Sequence, residues 1–290
     1  MKHSIRYVNS KGDEIDFTGP LPYRMVTGDL FNYAWGYNSS DDYRNRGAKI
    51  TSFKRELAER SIEVDVFAAT EGVYIEAINS LCDIADYDVQ AKKPGRLYVD
   101  GSYLDCYIIA SDKESWESPV LYLQVTLTVI AEYPIWWSEQ SFSFGVVDAS
   151  DGEEDDDFVL ENAVGTDFPY DFANDATRRM IDNSGAYRGS EFILRIYGPA
   201  HNPSITVGEA LYSVETDLEI NEVLEINSYM RTIVKRNTIS GVSQNCFGSR
   251  SRDNDIFARI PSGHINLYYS GDFAFKLVLL EDRSEPLWTS

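Results

Sequence analysis

Leu121, Leu123, Val125, Leu127 and Val129 alternate with Tyr122, Gln124, Thr126 and Thr128. Successive side chains on a strand point to opposite faces, so this run has one wholly apolar face and one polar face. That pattern demands a sheet packed on one side and solvated on the other, which is the habit of antiparallel sheets. Two shorter patterns agree. Ile62, Val64 and Val66 alternate with Glu63, Asp65 and Phe67. Arg96–Val99 and Tyr103–Ile109 flank Asp100-Gly101, a dipeptide suited to the positive φ angles of a tight hairpin. A further hairpin is expected at Ser4–Val8 and Glu14–Phe17.

The spacing predicts one helix, opening at Thr70-Glu71 and ending before Lys92-Lys93-Pro94-Gly95. Ile75, Ile78, Cys82 and Ala85 recur at steps of three and four and are the expected buried stripe. Thr70 is the expected N-cap, because its hydroxyl can accept from a free backbone N–H. The last hundred residues are a train of short strand patterns and turns, ending in Phe273–Leu280, and read as a β-sandwich.

The 290 residues are enough for about two domains. The expected division is 1–140, a β domain with one helix; 141–190, an irregular acidic connection; and 191–290, the sandwich. The exit from the first domain is placed at Pro134-Ile135-Trp136-Trp137. With 43% hydrophobic residues the composition is that of a packed protein. No stretch approaches the roughly 18 apolar residues that span a bilayer, and the start has no apolar signal core, so the chain is expected to fold in the cytoplasm without membrane insertion.

A net charge of −21 repels nucleic acid phosphates and anionic lipid, which argues against a DNA reader or a membrane binder. Residues 1–140 carry 14 bases against 22 acids, and 148–157 alone hold seven acids. Calcium could bind such a run, but the spacing of a calcium loop is absent and a solvated segment explains it better. Asp253-Asn254-Asp255 reads as a turn. Cys82, Cys106 and Cys246 are far apart and are expected to be small buried thiols; with the scattered His3, His201 and His264 they form no zinc pattern. The sequence carries no nucleophile-elbow, dinucleotide, P-loop or zinc-protease motif, so no catalytic residue and no cofactor is assigned. Trp35, Trp136 and Trp137 are the candidates for a subunit interface or core, where large rigid rings supply contact area; stacking on a sugar is the other use for them.

Several segments, taken in order, resemble the distal tail proteins of long-tailed, siphophage-type bacteriophages. They are Ile50–Glu56, the helix with Asp86–Val89, Lys93–Val99 with Tyr103–Tyr107, Tyr133–Trp136, Phe168–Phe172, Gly198-Pro199, Asn202-Pro203 and the close through Trp288. The resemblance implies a mainly β protein: an N-terminal domain with one helix on antiparallel sheets, and a galectin-like C-terminal β-sandwich. It implies a homohexameric ring that joins the tail tube protein to the tail-tip or baseplate proteins, in the virion after assembly in the host cytoplasm. DNA would pass through without specific binding, so the inner wall is expected to be acidic; for Asp83, Asp86 and Asp88 an outer helix surface is an equal expectation. The alternative is a carbohydrate-binding accessory module that contacts the host surface.

Overall fold

The computed structural model describes residues 3–19, 21–41, 47–114, 121–145, 177–252 and 254–287. The chain forms two compact units, Met1–Glu139 with Asp282–Ser290, and Gln140–Glu281. It is mainly β, with one α-helix among the described residues and antiparallel strand pairing throughout. The acidic run 148–157, Phe168–Phe172, Asp253 and Trp288 lie outside the described residues.

In the first unit the alternating run is the strand Tyr122–Ala131, with Leu123, Val125, Leu127, Val129 and Ala131 buried. It lies between Ala58–Phe67 and the far half of the long strand Ser102–Glu114. Tyr23–Gly28 adds to the outer side of Ala58–Phe67. The near half of Ser102–Glu114 pairs instead with Gly95–Val99, which continues to Ile5–Val8 and Glu14–Asp16. The strand changes partners between Cys106 and Tyr107, and a register shift follows between Ile108 and Ala110. A bulge bends its strand, which lets one chain segment serve two sheets across a shared core. At Asp100 and Gly101, φ is 49° and 88°, so the hairpin takes the left-handed turn that this dipeptide favours.

The helix Glu71–Ala91 starts as expected, with the Thr70 hydroxyl accepting from the Val73 N–H. Its buried stripe matches the expected one at Ala85 and, part-buried, at Ile78, and differs elsewhere. Ala77, Leu81, Ala85 and Asp88 face inward, whereas Ile75 is half exposed and Cys82 lies on the surface. Steps of three and four fit more than one stripe of a helix, so spacing alone does not choose between them. Asp88 is not a surface acid. It is fully buried, accepting from the Tyr7 hydroxyl at 2.5 Å and the Ser10 N–H at 2.7 Å, and so ties the helix end to the first hairpin. Gly95 passes so close that a Cβ there would strike the Asp88 carboxylate and the Tyr7 hydroxyl.

The second unit is a sandwich. One sheet carries Ser243–Asn245, Thr232–Asn237, Glu222–Asn227, Glu191–Tyr197 and Ala274–Arg283 in that order. The other carries Thr177–Asn183, Gly263–Tyr269, Ser204–Val207 and Ala210–Ser213. Phe192, Leu194, Ile196, Phe275 and Leu277 from the first sheet meet Ile181, Ile205, Tyr212, Leu267 and Tyr269 from the second. Gly198 lies where any side chain would collide with the Glu219 carbonyl, so the segment at Gly198-Pro199 requires glycine. Of the thiols, Cys106 and Cys246 are buried as expected. Burial also pushes the Cys106 thiol well above its ordinary pKa.

Candidate assembly surface

Gly36–Asp41 and Ala48–Lys54 form a two-stranded ribbon whose strands, among the described residues, pair only with each other. Alternation divides its side chains by face. Tyr37 pairs with Phe53, and Asn38 with Ser52 on the opposite side. A register shift then follows between Asn38 and Ser39, so that Ser39 meets Ile50 and not Thr51. The physical consequence is specific. Positions 50 and 53 are an odd number apart and would sit on opposite faces of a regular strand; the extra residue returns Ile50 to the face of Tyr37 and Phe53. The ribbon therefore has one face with Tyr37, Ile50 and Phe53, and another with Asn38, Ser40, Lys49 and Ser52.

The apolar face is bare. Tyr37, Ile50 and Phe53 are 62%, 48% and 64% exposed, and every residue of Ala48–Lys54 is exposed. Burying a large apolar side chain contributes about 1.5–3 kcal/mol, so these three leave several kcal/mol unrealised. A lone two-stranded ribbon is also marginal in water. An arrangement of this kind suits a contact made with another molecule.

At the foot of the ribbon lies a cleft of about 270 Å³. Leu30, Leu104, Val129, Ala131, Pro134 and Trp136 supply its apolar wall, and Tyr33, Trp35 and Leu57 its exposed rim. The Arg55 guanidinium lies 4.7 Å from the centroid of the Trp35 ring and 3.9 Å from the Asp282 carboxylate. Pockets for small molecules span roughly 300–1,000 Å³ and surround their ligand; this smaller, open cleft fits side chains better than a cofactor.

The three candidate tryptophans thus have different places. Trp136 and Trp137 are buried at 3% and 4% exposure, and Trp35 stands at the rim with 41%. The structure brings Trp35 and Trp136 into one cleft, and Trp137 does not line it. Sequence reasoning missed Tyr33, Tyr37, Ile50, Phe53 and Leu57. The alternation Tyr33-x-Trp35-x-Tyr37 was the available signal for the first two, but nothing local announces the bulge that recruits Ile50.

Among the described residues no group of three His, Cys, Asp or Glu side chains could hold a metal. His3, His201 and His264 each lie beside an aspartate, Asp100, Asp217 and Asp182, on three separate strands or turns. The surface thiol Cys82 sits near Asp86, and burial and that carboxylate both raise its pKa. Asp255 accepts from the Phe257 N–H at 3.0 Å, as a turn residue does. No described helix is long and apolar enough to cross a membrane.

No family model matches the sequence, and no curated protein does either. Solved structures do. The chain is similar in fold to the Dit protein of SPP1, described as a paradigm of the hub adsorption apparatus in phages that infect Gram-positive bacteria. That likeness has a TM-score of 0.57 at 11% identity and covers 97% of this chain and 99% of that one. It is also similar to a chain in the phage P2 baseplate in its activated conformation with calcium, with a TM-score of 0.62 at 11% identity, covering 99% of this chain and 100% of that one. The same baseplate with strontium gives 0.60 at 10% identity, over 98% and 99%.

Proposed function

We propose that this protein is a structural hub of a phage tail, a ring that joins the tail tube to the tail tip or baseplate. The observation that carries this reading is likeness of fold from end to end: both units, in order, find counterparts in one hub protein and one baseplate chain. A carbohydrate-binding accessory module would not account for that coverage.

In this reading the first unit, with its bare ribbon and cleft, makes the ring contacts. The ring is homohexameric, and the sandwich is a galectin-like domain whose likeness to galectins is one of fold and not of sugar binding. The chain's work is mechanical rather than catalytic. It is part of the virion tail after assembly in the host cytoplasm, and its partners are copies of itself, the tail tube protein and tail-tip proteins.

The sheet built on Tyr122–Ala131 offers a suitable channel wall. Its solvated face presents Ser61, Glu63, Gln124, Thr126 and Thr128, with Asp112 on one neighbouring strand and Arg24, paired with Asp65, on the other. Hydroxyls and carboxylates without a basic cluster would leave DNA phosphates unbound and the duplex mobile. Asp83 and Asp86 stay on the exposed side of the helix, and Asp88 is buried.

Negative-stain electron microscopy of the full-length protein, alone and with its tail, tests the reading. The expected result is a closed ring with six-fold averages. A protein that stays monomeric at every concentration and is absent from purified tails would overturn it.

A further inference from the structure

We propose that the outward side of the helix Glu71–Ala91 is a docking face for a basic amphipathic helix supplied by a different protein. The inference goes beyond the hub reading and does not depend on it.

The helix carries two apolar stripes and buries one of them. Ala77, Leu81 and Ala85 face the core. Ile75, Cys82 and Val89 recur at steps of seven, which keeps them on one side of a helix. That side is open to water: Ile75 and Val89 are 50% and 44% exposed, and Cys82 is exposed. Ile78 lies between the two stripes, part-buried and packed against the core. A seven-residue repeat of apolar side chains is the seam by which one helix packs along another, and β-branched residues such as Ile75 and Val89 serve as its knobs.

Charge decides what kind of helix fits. Glu71–Ala91 contains no Lys or Arg, and Glu76, Asp83 and Asp86 stand exposed on the solvent side of the stripe. Among the described residues none of these three carboxylates forms an ion pair with a Lys or Arg. Lys113, on the strand Ser102–Glu114, lies close enough to act on the Cys82 thiol, and its ammonium donates to the Ser111 hydroxyl at 3.0 Å. A partner with Lys or Arg beside its own apolar stripe would pair with the three acids, and charges flanking such a seam set the choice of partner. A second copy is a poorer match, because each copy has a net charge of −21 and presents the same acids. A bilayer surface is a poorer match as well, since a helix that lies on a membrane carries Lys and Arg on its polar face.

The test uses the full-length protein and a designed peptide of the helix's own length, 21 residues, with Leu at the two seam positions of each heptad and Lys beside them. Cys82 is the reporter, because it is exposed while Cys106 and Cys246 are buried. The bound peptide should slow maleimide modification of Cys82 about tenfold, and the same peptide with Glu for Lys should not, because like charges oppose association. Ile75→Ser combined with Val89→Ser, both at surface positions, should weaken binding of the Lys peptide about tenfold by fluorescence anisotropy, with circular dichroism unchanged. Asp83→Lys combined with Asp86→Lys should reverse the preference in favour of the Glu peptide. A Cys82 that stays fully reactive beside saturating Lys peptide would overturn the inference. So would equal binding to the native chain and the Ile75→Ser, Val89→Ser variant, since attraction to an acidic surface would then suffice. Protection of Cys82 without peptide, on raising the protein concentration or adding phosphatidylcholine vesicles, would also overturn it, with a second copy or a bilayer as the occupant.

Discussion

The strand Tyr122–Ala131 and the ribbon Gly36–Lys54 follow the same alternation and end in opposite situations. In the strand, Leu123, Val125 and Leu127 are buried in a core that also holds Leu81 of the helix and Leu97 of Gly95–Val99, and the opposite face is partly exposed. In the ribbon, Tyr37, Ile50 and Phe53 form an equivalent apolar face that no described residue covers. A face buried within the chain stabilises the monomer. A face left bare contributes nothing until a partner arrives, and then its whole contribution goes to association. If the ribbon is an assembly surface, as proposed, the two regions divide one physical effect between folding and assembly.

Substitutions that strike each face separately sharpen the contrast. Leu127→Ala should have the largest effect, lowering stability by about 2–5 kcal/mol, because it removes a fully buried side chain and leaves a cavity. Urea denaturation of the full chain would read this as an earlier transition of the first unit.

Gly95→Ala should follow, at about 1–3 kcal/mol, since the new Cβ must displace the Asp88–Tyr7 pair in a packed interior. The same denaturation curve measures it. Asp88→Asn at that site tests whether the carboxylate, and not mere volume, holds the helix end to the first hairpin.

Alkaline titration comes next. The Tyr23 hydroxyl donates to the Ala77 carbonyl at 2.7 Å, and burial pushes its pKa up to about 12. A raised folded-state value means the contribution is complete below the unfolded tyrosine's pKa of about 10 and is lost as pH rises toward 12. Tyr23→Phe should therefore flatten the fall in stability across that window. An unchanged pH dependence would show that other tyrosines, such as the buried Tyr7 and Tyr103, dominate.

Phe53→Ser should have the smallest effect on the monomer, within about 0.5 kcal/mol, as for most surface changes. Its effect on assembly should nevertheless be severe, and sedimentation across a range of concentrations would separate the two. If Phe53→Ser instead destabilised the isolated chain as strongly as Leu127→Ala, the contrast between covered and bare faces would collapse.

Much of the architecture could be read locally. The run at 121–129, the hairpin at Asp100-Gly101 and the helix opened by Thr70 each follow from backbone geometry. Alternation, positive φ and a free N–H are properties of a few consecutive residues. The candidate site was legible only in part. Trp35 and Trp136 were singled out as aromatics, yet they lie a hundred residues apart and nothing in that spacing places them in one cleft.

The sequence by itself determined that the chain is a mainly β protein with one helix, because periods of two and of three to four are written into consecutive residues. Ala85 is buried as the spacing predicts and Ile78 packs against the core, but the tertiary contacts bury Ala77 and Leu81 where the spacing alone points to Ile75 and Cys82. Asp88 became a buried anchor because Tyr7, 81 residues earlier, comes within 2.5 Å of it. Ile50 joined the face of Phe53 because one strand gained a residue relative to its partner. In each case the local pattern fixes what a segment can present, and contacts between distant residues select what it does present.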